Sequence, residues 1–588
     1  EIYIRGEEGA LSTPPRIAEI AKEIEQTGIK GWDGLFWKNQ YEAFQQFFHE
    51  KNLAPYFGSI DSLTRAMGDV SFDHQGRRIQ GMRMQNTGDV YAVNGWEAMP
   101  YDNHSGIVDI YRNCKGNPST FTYYTQPLYV AVSPRTQFVH LPGKVPVDFY
   151  IVNEKNLSGK YRLSVSVCTP DGKEGKHIEK EVHITGGDCF GQLLLENCHL
   201  AIEGASGLYQ VKAQLRNTSG HLCAEGKDEV LGIYWDEKQL KGKGALYGTP
   251  DDPVATFYQK ATGCELPAFR SDMEKLDWIV VTRSSLDAPQ PVPVEAFCQK
   301  EGKSVLELSL YKDDDLRTLA GVTQDNKIDR TFADGAQPDP LLPANQSFSA
   351  IWDGKLKAPQ SGTYMIGVTS DQGMRLSVNG QRIVDEWRNN KELTVVRPFL
   401  LKAGDEVAVR VEYSQRNPTG SVQLVWSLPD HAAIAPQELL DRVREDGTSL
   451  LLLKSAESWM DAVSAYTGSA YHGYYSVGKN WVGGVHFVKE HPLFNGLPVN
   501  VAMGWPYQAL VRNGDRRLGL HIDNEELVAG SYSSAPFNLG SAVGIISCGK
   551  GKIYYSTLDL VDNLNNPAAA ADVARKLFCN FILLSKDR

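Results

Sequence analysis

A chain of 588 residues is too long for one hydrophobic core, and at roughly 150 residues per domain it calls for about four. Its formal net charge of -11 and the lack of a Lys/Arg-rich run exclude a nucleic-acid footprint, which needs a basic patch, and leave a neutral or sugar-like partner as the better fit. A composition of 42% hydrophobic and 22% charged residues with 54 Gly and 29 Pro excludes disorder and points to many turns and much β structure.

Ile2-Tyr3-Ile4-Arg5 alternates as a short strand and runs into Gly6-Glu7-Glu8-Gly9, two carboxylates at the strand's C-terminal end. Ser12-Thr13-Pro14-Pro15 reads as a helix entry, with Ile17, Ile20, Ala21 and Ile24 forming its apolar face. A second helical run, Trp37 to Phe48, leads through a polar, Gly-containing stretch to Val90-Tyr91-Ala92-Val93-Asn94-Gly95-Trp96-Glu97, another strand that ends in an aromatic and a carboxylate. Strand ends of this kind carry the chemistry of α/β barrels. The chain therefore reads as opening inside a barrel, which makes the lack of a leader before Glu1 uninformative.

From Leu128 the period changes to two, through Tyr129-Val130-Ala131-Val132, Val145 to Glu154 and Tyr161 to Val167. Short strands with Pro, Gly and Asn between them predict an antiparallel β-sandwich to about Val230. Gly244 to Gly248, a helix from Pro253 to Ala261 and the apolar run Leu276 to Thr282 predict the start of a parallel α/β domain. Its second half resumes with a helix from Pro436 to Glu445 capped by Gly447, strands at Ser449 to Lys454, Val543 to Ser547 and Lys552 to Ser556, and a helix from Pro567 to about Phe581. A β-rich block between the halves reads as an insertion in a loop. The predicted domains are 1–125, 126–235, 236–302 with 431–588, and 303–430.

The residues Gly6-Glu7-Glu8-Gly9-Ala10, with Asn94-Gly95-Trp96-Glu97 and Asp102-Asn103-His104-Ser105-Gly106-Ile107-Val108-Asp109, resemble the end of the (β/α)8 TIM barrel of glycoside hydrolase family 2, the β-galactosidase and β-glucuronidase group. The resemblance implies a retaining β-glycosidase acting on a glycan or oligosaccharide; the alternative is a non-catalytic carbohydrate-binding or structural module in which the barrel remnant serves only as a scaffold. Glu7 falls on the nucleophile and Glu8 on the aromatic that normally follows, so the choice between them stays open. Asn94, Trp96, Glu97, Asp102 and His104 then fall on the sugar-binding side. The general acid/base belongs to an earlier strand, so the rest of the barrel is expected from an N-terminal part of the same enzyme or from a separate chain. The family implies a periplasmic or secreted protein.

Phe348 to Leu356, Ala358 to Tyr364 and Ser370-Asp371-Gln372-Gly373-Met374-Arg375-Leu376-Ser377-Val378-Asn379-Gly380 resemble the protective-antigen (PA-fourteen) type of β-sandwich, often a sugar-binding attachment on glycosidases. Asp371, Gln372 and Trp387 are the implied accessory sugar-binding residues. Calcium-binding members use paired Asp where this chain has Asp371-Gln372, and losing a hard carboxylate weakens such a site, so no metal or other cofactor is expected. The split domain resembles glutamine-amidotransferase-like modules of flavodoxin-like build. It has Lys454-Ser455-Ala456-Glu457 where a nucleophilic Cys would stand. The predicted fold class is thus multidomain α/β plus all-β, with an immunoglobulin-like sandwich between barrel end and split domain.

Other residues admit two readings each. Glu97 is a substrate contact or an ion-pair partner of Arg112; His104 orients a carboxylate or sugar, or is structural; Trp32, Trp37 and Trp387 are sugar platforms or core. His472 and His486 lack metal-spaced partners and read as structural, and Gly473 to Gly484 as a loop without phosphate-binding spacing. Nine scattered Cys without CxxC spacing argue against zinc ribbons; most read as small buried apolar residues, and the odd count leaves at least one free thiol if some pair. No apolar run of about 18 residues marks a membrane span.

Overall fold

The computed structural model describes residues 4–8, 11–29, 31, 33–88, 90–93, 106–175, 177–188, 190–249, 251–285, 290–300, 303–304, 306–344, 346–428, 436–477, 484–511, 518–534 and 537–586. It is mostly β-sheet with some helices and divides into two compact units, Glu1–Arg283 with Pro436–Arg588, and Ser284–Ala435.

In the larger unit, Ile4–Glu8 pairs in parallel with Val90–Val93, Glu8 standing beside Val93. Among the described residues these form a two-stranded sheet rather than a closed barrel. Helices Ile17–Thr27, Gly34–Glu50 and Ile60–Met84 lie between them in sequence. The third, 25 residues long, occupies the stretch that reads in sequence as polar and Gly-containing. Its buried residues include Thr64, Gly68, Ser71, Gln75, Gly76 and Gln80 beside Leu63, Met67, Phe72 and Ile79. A Cβ on Gly68 would stand 2.1 Å from the Lys115 carbonyl oxygen, and one on Gly76 2.1 Å from the Tyr124 ring. Close approach requires glycine there, and small or polar residues on the inner face erase the apolar period that would announce a helix. These helices bury Ile17, Trp37, Phe44, Leu63 and Met67 against Val485, Phe487 and Tyr532, so the first segment shares its core with the distant C-terminal sheet.

The sandwich packs a three-stranded sheet, Leu128–Pro134, Gly143–Asn153 and Gly191–Ile202, on a five-stranded one that includes Gly159–Cys168, Gly207–Arg216 and Leu222–Ile233. Val130, Phe149, Leu163, Val211 and Val230 fill the space between them.

The split domain is built on a ten-stranded sheet. Gly244–Tyr247, Trp278–Val281, Ser449–Leu452 and Gly551–Ser556 run parallel, as expected of strands buried on both faces. The sheet then turns antiparallel at Phe537–Cys548, where the sequence reads as wholly parallel. Cys548 pairs with Gly551 across a two-residue connection, which can close only an antiparallel pair, since a parallel one needs a crossover of about a dozen residues. The Gly-rich stretch read as a loop begins as a strand, Tyr471–Ser476, paired with Leu518–Ile522. Helix Asp572–Leu584 covers the sheet with Val573, Leu577, Phe578 and Phe581.

The smaller unit is a second β-sandwich. One sheet has five strands and includes Gly362–Ser370, Leu393–Leu401 and Gly420–Ser427; the other has six and includes Phe348–Lys357, Gly373–Val378 and Glu406–Gln415. It begins before the predicted boundary at 303, because Gln290–Pro291 pairs with Trp426 and Val425 and because Val292 and Phe297 enter the core. Asn379 and Gly380, at φ 48° and 80°, make the hairpin turn between Gly373–Val378 and Gln381–Glu386, the left-handed pair that a type I′ turn needs.

Candidate functional site

The smaller sandwich brings two of the three accessory residues into one recess. The turn after Gly362–Ser370 carries Asp371 and Gln372. Gln372 is only 3% exposed; its Nε2 donates to Thr419 O at 3.0 Å, and its Oε1 accepts from the amides of Arg416 at 3.2 Å and Asn417 at 3.4 Å. It is thus the clamp that holds the loop 416–419. Asp371 points elsewhere: its Oδ1 accepts from Ser421 N at 2.7 Å. Asn389 closes the same turn by donating from Nδ2 to the carbonyls of Ser370, Gln372 and Lys391.

Trp387 is half-buried beside this clamp. The Arg375 guanidinium lies 4.3 Å from its ring centroid and that of Arg416 5.9 Å, close enough for cation–π attraction. Arg416 also donates to Trp387 O at 2.6 Å and to Asp314 Oδ2 at 2.9 Å. Asp314 sits in a turn organised by its neighbour Asp313, whose carboxylate accepts from the amides of Asp315, Arg317 and Thr318. Those bonds, that of Arg317 first, hold Asp313 ionised down to about 2. Within the same turn Leu316 stands at φ 60°, where a bulky side chain is strained, with its amide donating to Ser349 Oγ at 3.0 Å.

Gln372, Trp387, Asn389, Arg416 and Asp314 line one cavity of about 520 Å³, with Asp315, Arg388, Asn390 and Asn417 completing it. An indole among amide, carboxylate and guanidinium groups offers apolar contact and directed hydrogen bonds in one place, the make-up of a small-molecule site. Sequence reading found Gln372 and Trp387 through the resemblance but missed Arg416 and Asp314. These two are 102 positions apart, and no local pattern announces such a pair.

Glu7 and Glu8 belong to the strand Ile4–Glu8, while Asn94, Trp96, Glu97, Asp102 and His104, with Trp32, lie outside the described residues. Trp37 is core, 3% exposed with Nε1 donating to Asp33 Oδ2. His486 is buried, and His472 shares a hydrogen bond with Asp523.

Residues 302–439 match the PA14 domain family, so a PA14 domain is present in this chain. The curated anti-sigma-I factor RsgI3 of Acetivibrio thermocellus is 29% identical over 117 residues, 20% of this chain and 18% of that protein. The match therefore spans under a fifth of the curated relative's length. Among solved structures, the PA14 sugar-binding domain from an RTX adhesin is similar at 19% identity and a TM-score of 0.16, covering 21% of this chain and 87% of that one. A β-glucosidase from Kluyveromyces marxianus is similar at 17% identity and a TM-score of 0.21, covering 34% and 25%. Among the described residues, no helix is long and apolar enough to cross a membrane.

Proposed function

We propose that this chain binds glycans through its PA14 domain, at the cavity floored by Gln372 and flanked by Trp387. The observation that carries the reading is the convergence of Trp387 with Arg416, Asp314 and Asn389 in that recess. An indole face packs against the C–H side of a pyranose, while paired oxygens and nitrogens hydrogen-bond its hydroxyls. Trp387→Ala in the full chain is expected to weaken binding to its best glycan-array ligand roughly thirtyfold, as for an aromatic anchor, with no change in melting temperature. Wild-type affinity in that variant would move the site elsewhere.

Binding at this cavity needs no calcium. Asp371 Oδ1 and both amide ends of Gln372 are already engaged with the backbone of 416–421. Arg416 places a fixed cation beside Asp314, and a guanidinium there opposes a second cation. Affinity is expected to stay the same in EDTA; a loss reversed by added calcium would overturn this reading.

A second reading is that the protein is part of a retaining, family-2-like β-glycosidase, periplasmic or secreted, with the split domain as a non-catalytic amidotransferase-like module. The parallel pairing of Ile4–Glu8 with Val90–Val93, Glu8 at the strand's end, favours it, since neighbouring barrel strands pair in this way. Glu7 would then attack the anomeric carbon, and a carboxyl outside this chain would protonate the leaving oxygen. In the protein that carries that second carboxyl, an activated fluorosugar is expected to label Glu7. Labelling at another residue, with Glu7→Gln keeping its rate, would remove the assignment.

A further inference from the structure

The loop 416–418 that walls the Trp387 cavity also lines a second cavity. It measures about 810 Å³, and Arg416 and Asn417 line both spaces. We propose that the PA14 domain binds an internal stretch of a glycan chain laid across this shared wall, with one sugar unit at Trp387 and the following units beside Asn326 and Asp334. This inference rests on the reading of the Trp387 cavity as a sugar site.

Three observations carry it. Each cavity by itself falls in the range of about 300–1,000 Å³ that accommodates one small ligand, so two of them sharing one wall exceed what a single sugar ring fills. The wall is preformed: Gln372 bonds the amides of Arg416 and Asn417 and the carbonyl of Thr419 from one side, and Gln415 Nε2 donates to Pro418 O at 3.5 Å from the other. A Cβ at Gly420, where the loop ends, would stand 2.2 Å from Tyr413 Oη and 2.8 Å from Gln415 Oε1, so the wall is closely packed at its base. A preformed wall spares a ligand the ordering cost of a loose loop.

Among the described residues the second cavity is polar and, unlike the first, lacks an aromatic platform. Its one ring, Phe332, is turned inward against Phe348 and Tyr413. Recognition there falls to hydrogen bonds, and the exposed Asp334 carboxylate forms no hydrogen bond or ion pair among the described residues. A charged acceptor with free lone pairs suits the vicinal hydroxyls of a sugar. The Trp387 cavity should therefore anchor the chain, and the second cavity should add affinity with length.

Calorimetric titration of the full chain with length ladders, monomer to hexamer, of β-1,4-galactan, β-1,4-xylan and polygalacturonate tests this. For the ladder that binds, affinity is expected to rise about tenfold from monomer to tetramer and then level off, the gain of one net charged hydrogen bond. The double variant Asn326→Ala, Asp334→Ala should reduce every longer member to the monomer's affinity while leaving monomer binding and the melting temperature unchanged. If the monomer binds through Trp387 yet length adds nothing, or if the double variant keeps the gain, the extension is wrong and the Trp387 site stands. If no ladder binds while the glycan array still yields a Trp387-dependent ligand, the extension is wrong and the Trp387 site stands; if the array yields none either, both readings fall.

Discussion

Replacing Glu525 by Ala is expected to lower the stability of the larger unit by about 3–5 kcal/mol, the range for removing one partner of a buried ion pair. The Glu525 side chain is fully buried, and Lys51 Nζ reaches it at 2.8 Å while also donating to Ile522 O at 2.6 Å. Ser541 and Tyr555 donate their hydroxyls to the same carboxylate. A Cβ on Gly544 would stand 2.4 Å from Glu525 Oε2, which shows how closely the sheet is fitted around it. Truncation strands a buried ammonium and two hydroxyls at once. Lys51 follows the helix Gly34–Glu50 and Glu525 lies 474 positions further on, so the lost interaction ties the N-terminal helices to the C-terminal sheet. Urea unfolding should show the loss as a lower midpoint. Glu525→Gln, which keeps an acceptor for the hydroxyls, should lose less. A change under about 0.5 kcal/mol for Glu525→Ala, the size of an ordinary surface substitution, would refute the account.

Arg77→Met is expected to cost a similar amount, about 3–5 kcal/mol, at the junction between the long helix and the first sandwich. Arg77 NH2 stands 2.8 Å from Asp228 Oδ1, and its Nε 2.9 Å from Asp73 Oδ2; the Asp228 side chain is 5% exposed. Burial raises the Asp228 carboxyl above the usual carboxylate range, and Arg77 pulls it back. Methionine keeps the stem's packing and removes the pull. The sign of the pH dependence follows. With its folded pKa raised above the unfolded value, Asp228 in the variant takes up a proton on folding, so the deficit should shrink as pH falls from neutral toward about 4. Unfolding midpoints at several pH values measure it. A deficit that is constant with pH would mean that lost packing, not the unpaired carboxylate, is responsible.

Both predictions turn on contacts, Lys51–Glu525 and Arg77–Asp228, that no local reading finds. The strands of the two sandwiches, the hairpin turn at Asn379-Gly380 and the helix start at Pro253 are legible because each depends on side-chain alternation, on two left-handed residues or on a proline, all within a few positions. The helix Ile60–Met84 is not, since Gly68 and Gly76 are chosen by Lys115 and Tyr124 rather than by the helix itself. The antiparallel half of the large sheet likewise depends on how Cys548 turns back on Gly551, while the strand's own buried residues read equally well as part of a parallel sheet.

The carboxylates that open the chain, Glu7 and Glu8, show how far a motif goes: it names a residue type at a strand's end, and the parallel partner Val90–Val93 is the piece of context the fold adds. For the PA14 domain the sequence by itself determined the sandwich, because its strands and turns lie in short segments whose order and turn chemistry are local, and Gln372 and Trp387 entered as candidates through the resemblance. Only the tertiary structure decided that they face one cavity, that Asp371 turns away from it, and that Arg416 and Asp314 complete it. Chain order records which residues are neighbours along the backbone, whereas a cavity is lined by residues that loops bring together from distant positions.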